Sequence, residues 1–518
     1  MSPETLIAPA CPPGVEGFVI APDLLTAARP KSTRNQTVQY GAGYVIFAAG
    51  RVLRDLAVAR ILGPSRFGMW GALLVYRQYS NYTDFGFTNG LGRVLPRLVQ
   101  EGNPLEARRA MGTAWLVAMA GTLGFALGIA LKFLASLRSY STVWLWGIAT
   151  ITVLMFIDKH YMYSSVVFRS GDRVGESGLW MGLLGGLELA LGIWLTRWYG
   201  LYGLYVSVLL AQFSAVACMY VRQPLRGTFR PSPASFRTLL IPSLTLMGLG
   251  LGNIAIHNAD RVVLLWARGP GAELGEYQVA SSISLVVSQL PYILLTVLVP
   301  KLFRFSSEST AKLRPYFLLP TAVIAIAGVA VGTLGYVVLP VLLSWLLPRY
   351  VLVASLAGIL MLGEVCFAIA MVPETLLVAL DRGFQSLLLR CITVGGGTSA
   401  SWWALSHGHG LRAVAGCICA AQAAGALIVG LIAAHAIKIS PLRYLVAAFA
   451  PVFYALAALA GVLVIVPTSL GRFESVLMKL LLCALALSPL AALPLWFAGM
   501  RLPGMHRVVA YLHWTEAG

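Results

Sequence analysis

Charged residues are scarce in this chain, and acidic residues are the scarcest of them. Only 11% of the 518 residues are Asp, Glu, Lys or Arg, and 20 acidic residues stand against 38 basic ones. Soluble globular proteins contain about 25% charged residues. This scarcity excludes an ordinary soluble enzyme.

The chain also lacks the patterns of common catalytic and nucleotide-binding sites. It contains no Walker-type phosphate loop, no HExxH zinc motif, no nucleophile elbow and no plausible catalytic triad. Six of its seven cysteines lie in apolar segments, and Cys417 and Cys419 would point to different faces of a helix. We therefore expect no catalytic residue, no cofactor and no metal site.

Long apolar runs are what the chain has instead. Runs of about 18 or more residues recur along its length, each long enough for a helix that crosses a bilayer. We predict an all-α polytopic membrane protein with about 14 transmembrane helices. Their centres are expected near residues 50, 79, 122, 154, 186, 211, 250, 287, 329, 365, 395, 422, 455 and 486.

The distribution of basic residues predicts the orientation of these spans. With the N-terminus in the cytoplasm, cytoplasmic loops and tails hold about 24 Lys and Arg, and external loops about 10. Both termini are therefore expected to be cytoplasmic. The net charge of +18 follows from this bias and requires no nucleic-acid partner. Residues 1–36 lack the apolar core of a signal peptide and are interpreted as a disordered cytoplasmic tail.

The two halves of the chain share a series of landmarks at similar spacings. In the first half these are Asp55, Gly63-Pro64, Phe67-Gly68-Met69-Trp70 and Leu95-Pro96-Arg97-Leu98; in the second half they are Asp260, Gly269-Pro270, Leu274-Gly275-Glu276-Tyr277 and Val299-Pro300-Lys301-Leu302. The copies start about 205 residues apart with six spans in each. An even number of spans preserves orientation, so the repeats should be parallel.

The repeat predicts two six-helix lobes around a central cavity. The expected domains are an N-lobe at 37–222, a cytoplasmic linker at 223–236, a C-lobe at 237–436, and two extra helices with a cytoplasmic tail at 437–518. Glycines inside the spans, such as those of Gly182-xxx-Gly186, are interpreted as helix-packing surfaces.

Several charged and polar residues lie within the spans. An arginine at the bilayer centre costs about 2.5–3.5 kcal/mol, so we expect these residues to face a hydrated cavity that takes an anionic ligand. The residues predicted to bind or translocate the substrate are Arg51, Arg54, Asp55, Arg77, Asn81, Asp84, His257, Asp260 and Arg261. Three of them, Arg77, Asn81 and Asp84, belong to the second span. Together with Thr88 they would form one polar stripe on a helix face.

The alternative is that these residues form structural ion pairs between helices. In the first span, Arg51 and Asp55 have the i,i+4 spacing of such a pair. Intramembrane carboxyls are also candidate sites for a coupling ion, H⁺ or Na⁺. These candidates are Glu188, which stands alone in its span, Glu364, Glu374 and Asp158, although ion pairing near the headgroups is at least as plausible for Asp158.

Two segments carry a resemblance to a known family. ILGPSRFGMWGALL, followed by NYTDFGFTNGLGRVLPRL, resembles the start of the bacterial polysaccharide and O-antigen flippases, of the multidrug/oligosaccharidyl-lipid/polysaccharide exporter superfamily. HNADRVVLLWARGPGAELGEYQVASSI is similar to the opening of their second lobe. GRVLRDLAVARILG also resembles the first helix of the lipid II flippases, which implies a cavity-lining role for Arg54 and Asp55.

The resemblance implies a flippase of the bacterial inner membrane. Its substrate would be an undecaprenyl-diphosphate-linked oligosaccharide, moved to the periplasmic leaflet by alternating access for O-antigen or exopolysaccharide synthesis. Its partners would be membrane lipids and polysaccharide polymerase or co-polymerase proteins. Three alternatives remain: a lipid II flippase, a cation-coupled small-molecule or drug antiporter, and a membrane enzyme such as a polymerase or ligase. The external loops are short for such an enzyme.

Overall fold

The computed structural model describes residues 33–134, 140–223, 231–306, 313–350, 352–466 and 472–491. Most of the expected N-terminal tail and the C-terminal tail lie outside these ranges. Thirteen α-helices and one 3₁₀ helix (Ser488–Ala491) occur in the described part. The α-helices are α1 Thr33–Ser80, α2 Phe87–Gln100, α3 Pro104–Leu134, α4 Thr142–Ser170, α5 Val174–Arg222, α6 Pro233–Arg268, α7 Ala272–Ser306, α8 Pro315–Leu346, α9 Val353–Ala379, α10 Gly383–Ser406, α11 Leu411–Ala436, α12 Pro441–Ile465 and α13 Arg472–Leu487.

Two of these helices, α1 and α5, are each broken into two arms at a glycine. Gly63 has φ 75° and ψ 170°, and Gly200 has φ 58° and ψ −135°. Glycine adopts such positive φ values readily because it has no Cβ. With the arms counted separately, and α2 taken as the continuation of the second arm of α1, the described ranges contain fourteen helical segments.

These segments confirm the predicted fold class. Each of the fourteen expected centres lies in a different segment, and no strand occurs in the described ranges. Eight of the described helices are long and apolar enough, by length and composition, to cross a membrane. Helix α1 is not among them, although each of its arms is part of a segment of membrane length.

The backbone repeats itself at the predicted landmarks. Gly269, which ends α6, has φ 73° and ψ −174°, close to the values at Gly63. Each glycine precedes a proline and separates two successive spans. This agreement supports an internal repeat, whereas the boundaries proposed for the lobes stay a prediction.

Close glycine packing joins the first arm of α1 to α5. A Cβ on Gly43 would lie 1.9 Å from the carbonyl oxygen of Gly178, and one on Gly185 would lie 2.4 Å from the Cα of Phe47. Small residues let two membrane helices approach this closely. The expectation that Gly186 packs here is wrong, because nothing lies within 4 Å of its Cβ position.

The two halves of the chain meet where the second arm of α1 crosses the start of α7. A Cβ on Gly68 would lie 1.9 Å from the carbonyl oxygen of Gly271, and one on Gly275 would lie 2.0 Å from that of Pro64. Gly68 and Gly275 are equivalent landmarks of the repeat, so the contact is close to twofold symmetric. We call it the glycine crossing.

Further contacts between the halves lie on both sides of the glycine crossing. Beside it, the Tyr350 hydroxyl donates to the carbonyl oxygen of Ala59 at 2.9 Å. Towards the opposite ends of these helices, the Tyr44 hydroxyl donates to the Gln289 side chain, and the Phe87 ring packs on Phe236 with a centroid distance of 5.0 Å. The halves are therefore in contact at both ends of the spans.

The helices after the repeat attach to the second half through α8. Phe317 of α8 stacks on Tyr444 of α12 with a centroid distance of 5.7 Å, and the Tyr444 hydroxyl donates to the carbonyl oxygen of Ala426 in α11 at 2.8 Å. Val337 of α8 shares an apolar cluster with Cys483 of α13. Both appended helices thus pack on one side of the second half.

The glycine packing of α1 on α5 leads to a test with a matched control. Gly185→Val should destabilise the protein by about 3 kcal/mol, because an added side chain would meet the backbone of α1. Gly186→Val changes the neighbouring residue, which faces open space, and should leave stability nearly unchanged. Thermal unfolding in detergent compares the two variants, and equal melting temperatures would contradict the packing.

Candidate functional site

Arg54 is a deeply buried charged group of the first half. Its Nη1 lies 2.5 Å from a carboxylate oxygen of Glu188 in α5, and its Nη2 lies 2.7 Å from Oδ1 of Asp55. Arg54 and Glu188 are each only 1% exposed. The other oxygen of Asp55 accepts a hydrogen bond from Ser282 of α7 at 3.1 Å. The pairing thus reaches the surface where the two halves meet.

Arg51 completes this group with a looser contact. Its Nε lies 3.2 Å from Glu188, its guanidinium lies 5.0 Å from the ring centroid of Phe47, and 36% of its side chain is exposed. Arg51, Arg54, Asp55 and Glu188 are called the Arg54 cluster below. It contains two guanidiniums and two carboxylates, which balance if all are ionised.

Two expectations about these residues are wrong. The i,i+4 pair of Arg51 with Asp55 is not among the ion pairs of the described ranges, because Asp55 is taken by Arg54 and Arg51 turns towards α5. Glu188 does not stand alone, since it neutralises two guanidiniums.

The second span is interrupted inside the protein. Residues 81–86 form turns between α1 and α2, with Phe85 at φ 51° and Gly86 at φ 74°. The Asp84 carboxylate accepts the backbone N–H groups of Gly86 at 3.2 Å and Thr88 at 3.1 Å. A carboxylate at this place caps the exposed N–H groups of a helix start and complements the helix dipole.

Lys159 of α4 stabilises the same interruption. Its Nζ lies 3.1 Å from Asp84 and donates to the carbonyl oxygen of Asn81 at 2.6 Å. The buried Lys159 therefore supplies a partner both to a backbone carbonyl that the break leaves without a helical hydrogen bond and to a carboxylate. Arg77 forms a two-fold hydrogen bond with Asp158, the neighbour of Lys159, at 2.6 and 2.8 Å.

The stripe predicted along the second span does not exist. Arg77 lies in the last turn of α1, and Thr88 lies in the first turn of α2. Asn81 and Asp84 lie in the break between these two helices. Helix periodicity does not hold across six residues that are not helical. Asp158 forms an ion pair with Arg77, so the ion-pairing alternative expected for this carboxyl describes it in this conformation.

In the second half, Asp260 and Arg261 bind neutral side-chain partners. The Tyr277 hydroxyl donates to Asp260 at 2.8 Å. Arg261 donates to the Gln278 side chain at 2.9 Å and to the carbonyl oxygen of His257 at 2.6 Å. Asp260 and Arg261 are 3% and 1% exposed. Neither side chain is open to a ligand in this conformation.

The two remaining carboxyls lie in α9 and have different partners. Glu374 forms an ion pair with Arg390 of α10. Glu364 lies 3.0 Å from Nδ1 of His257, whose ring packs on Phe367 at a centroid distance of 4.4 Å. A cavity of about 20 Å³ lies beside Arg390 and Glu374, which is room for about one water molecule.

The expectation that four arginines face a wet cavity is met only in part. Arg54, Arg77 and Arg261 are buried by protein groups, and each is bound by partners from its own half. Arg51 alone of the four keeps an open face. The structural alternative, ion pairs between helices, describes Arg54 and Arg77 in this conformation.

The sequence does not predict some members of these networks. They are Arg390, Gln278 and Ser282, together with Lys159 as a partner of the helix break and Tyr277, which the sequence gives only as a landmark of the repeat. An arginine within an apolar segment could have indicated Arg390. The neutral partners gave no comparable signal. Within the described ranges, no group of three or more His, Cys, Asp and Glu residues could hold a metal ion.

Comparisons with known proteins agree with this architecture. A family model described as polysaccharide biosynthesis protein matches residues 57–353. The fold is similar to that of the lipid II flippase MurJ in an inward closed conformation, with a TM-score of 0.66 and 12% identity over 88% of this chain and 98% of the other. No curated protein matches this chain.

The fold is also similar to that of transporters of the multidrug resistance MATE family in the MOP superfamily. The inward-facing structure of one such transporter has a TM-score of 0.58 and 15% identity over 81% of this chain and 97% of the other. An outward-facing structure has a TM-score of 0.53 and 14% identity over 80% and 97%. At these identities the likenesses concern the fold alone.

The pair of Arg77 with Asp158 provides a test of its structural role. Asp158→Ala should destabilise the protein by about 3–5 kcal/mol, because it leaves a buried guanidinium without its carboxylate. The double variant Arg77→Met, Asp158→Leu removes both charges and should recover most of the melting temperature in detergent. An unchanged melting temperature in the single variant would contradict the assignment.

Proposed function

This chain belongs to the polysaccharide biosynthesis protein family, and we propose that it is a flippase for an undecaprenyl-diphosphate-linked oligosaccharide. It would carry this substrate from the cytoplasmic to the periplasmic leaflet of the bacterial inner membrane. The product would supply O-antigen or exopolysaccharide synthesis, with a polymerase or co-polymerase as its partner. The observation that carries the proposal is the Arg54 cluster, placed where α1 meets α7.

The chemistry of the Arg54 cluster suits a diphosphate. The planar fork of arginine donates two parallel hydrogen bonds to phosphate oxygens as it does to carboxylates. Arg51 has one ion pair at 3.2 Å and a partly exposed side chain, so it is the guanidinium that a diphosphate reaches first. Arg54 lies directly behind it, with Glu188 bound to both.

Charge balance also suits an exchange of partners at the Arg54 cluster. A diphosphate diester carries two negative charges, and Arg51 and Arg54 together carry two positive ones. The two guanidiniums balance the diphosphate when they exchange the carboxylates of Glu188 and Asp55 for phosphate oxygens.

Separation of the two halves would open the cluster. The bond from Ser282 to Asp55 crosses between them and must break for α1 to move away from α7. The glycine crossing closes the halves at one end, and the contact of Tyr44 with Gln289 closes them at the other. Alternate opening of these ends would pass the diphosphate and sugars through water while the lipid tail stays in the bilayer.

The pair of His257 with Glu364 is the site that we propose for a coupling proton. Glu188, Asp158 and Glu374 are each bound to a guanidinium, which does not lose its proton in proteins. Glu364 is bound instead to an imidazole, a group whose protonation changes near neutral pH. Its other oxygen has no hydrogen-bond partner within the described ranges. We therefore place the coupling proton at this pair.

The role of Arg51 in substrate binding can be tested directly. Arg51→Gln should weaken binding of the lipid-linked diphosphate to the purified protein by about tenfold, because it removes a hydrogen bond to a charged group. Polymer export should fall in a strain whose own flippase has been deleted. Stability should change little, since the Arg51 side chain is partly exposed and Glu188 keeps its bond to Arg54.

Arg60→Gln is the matched control, because Arg60 is exposed at the end of the same helical arm. It should bind and export like the unchanged protein. If Arg51→Gln did the same, the assignment of the diphosphate to the Arg54 cluster would be wrong. Binding and flipping of lipid II in the same assays would favour the lipid II alternative over an oligosaccharide substrate.

The proposed coupling site leads to a separate test in proteoliposomes. An imposed proton gradient should accelerate flipping of the substrate by the unchanged protein. The flipping rate of the Glu364→Gln variant should be the same with and without the gradient, because the amide cannot take up the proton. Glu273→Gln, on an exposed turn, should behave like the unchanged protein. A response to a sodium gradient alone would contradict proton coupling at this pair.

A further inference from the structure

A groove of about 620 Å³ lies beside α3, and none of its wall residues belongs to an ion pair described above. Its walls are α3 between Gly121 and Lys132, and the residues Tyr76, Thr83 and Phe85 of the neighbouring span. Next to it, the side chains of Leu123, Leu127 and Leu131 are 51%, 54% and 66% exposed. In a membrane-spanning helix, this apolar face contacts lipid, so the groove opens to the bilayer.

Glycines keep the groove open. Gly121 is required by packing, because a Cβ there would lie 1.9 Å from the carbonyl oxygen of Thr83. Gly124 and Gly128 are different, since nothing lies within 4 Å of either Cβ position. Close helix packing does not explain these two glycines, whose missing side chains leave the space empty.

The groove has the length of one lipid leaflet. Its inner end lies at the helix break, where Phe85 is half exposed and Thr83 contacts Thr122 at 3.1 Å. Its other end is marked by Lys132, eleven residues after Gly121 along α3. At 1.5 Å per residue these positions are about 16 Å apart, which is about half the hydrocarbon thickness of a bilayer.

Lys132 gives this end of the groove a positive charge. Its ammonium lies 3.4 Å from the Tyr76 hydroxyl and 5.8 Å from the ring centroids of Tyr76 and Phe133. It forms no ion pair with a carboxylate in the described ranges, and its side chain is exposed. Aromatic and basic side chains together are typical of the level of the lipid headgroups.

We propose that this groove binds an anionic phospholipid, with one acyl chain between α3 and the broken span and the headgroup phosphate at Lys132. The apolar walls exclude a polar ligand, and the length fits a chain from a single leaflet. The ammonium of Lys132 complements the charge of the phosphate. This leaflet is the one opposite the arginine-rich start of α3. The site does not depend on the proposed transport function, because none of its walls belongs to the Arg54 cluster.

Native mass spectrometry of the purified full-length protein tests the site. Phosphatidylglycerol, an anionic lipid, and phosphatidylcholine, a zwitterionic one, are titrated separately, and the occupancy of the first bound lipid is measured. Gly128→Leu should fill the groove and weaken binding of phosphatidylglycerol about tenfold. Lys132→Gln should reduce the preference for phosphatidylglycerol over phosphatidylcholine about fivefold, because the choline ammonium already offsets part of the attraction between that lipid's phosphate and the lysine.

Gly395→Leu is the control for Gly128→Leu, because Gly395 is also exposed on a spanning helix with nothing within 4 Å of its Cβ position. It should bind both lipids normally, and thermal unfolding checks that every variant is folded. Equal lipid binding by Gly128→Leu and Gly395→Leu would overturn the proposal. So would displacement of phosphatidylglycerol from the groove by an equal concentration of undecaprenyl phosphate, which would assign the groove to a polyprenyl lipid.

Discussion

Neutralisation of charge inside the membrane is the constraint on which this structure depends. A guanidinium that faces lipid is costly, so its carboxylate must come from another part of the fold. Glu188 brings α5 to Arg54 of α1, and Asp158 brings α4 to Arg77. In the second half, Glu374 of α9 meets Arg390 of α10. These pairs fix which helices are neighbours, and glycines such as Gly185 then let the backbones close on one another.

The two halves repeat their backbone landmarks but not their chemistry. Gly63 and Gly269 have nearly the same conformation, whereas the equivalent aspartates have different partners. Asp55 is bound by a guanidinium, and Asp260 by the hydroxyl of Tyr277. The first half holds the partly exposed guanidinium of Arg51 beside a buried arginine–carboxylate pair, whereas the second half holds the imidazole–carboxylate pair of His257 and Glu364. The division that we propose, between anchoring the substrate and coupling its movement, rests on this asymmetry.

The sequence was sufficient for the fold and only partly sufficient for the site. Apolar runs predicted every helical segment, and the resemblance to the polysaccharide flippases agrees with the family match. Periodicity failed at residues 81–86, because the capping by Asp84 that ends one helix and starts another depends on Lys159 of a distant span. The partners of Glu188 and Glu364 could not be predicted either, because an ion pair between two helices depends on how each helix is rotated and how deep it lies in the membrane. No sequence pattern distinguishes neutral partners such as Ser282 from other polar residues.

The interruption of the second span also has a consequence for biogenesis. Asn81 and Asp84 leave the ribosome about 75 residues before Lys159, and Arg77 emerges 81 residues before Asp158. Until that lysine arrives, release of the bare carbonyl and the unneutralised carboxylate into hydrocarbon is costly. This cost favours retention of the nascent second span near the water of the insertion machinery until the fourth has been synthesised. The second and fourth spans then enter the lipid together.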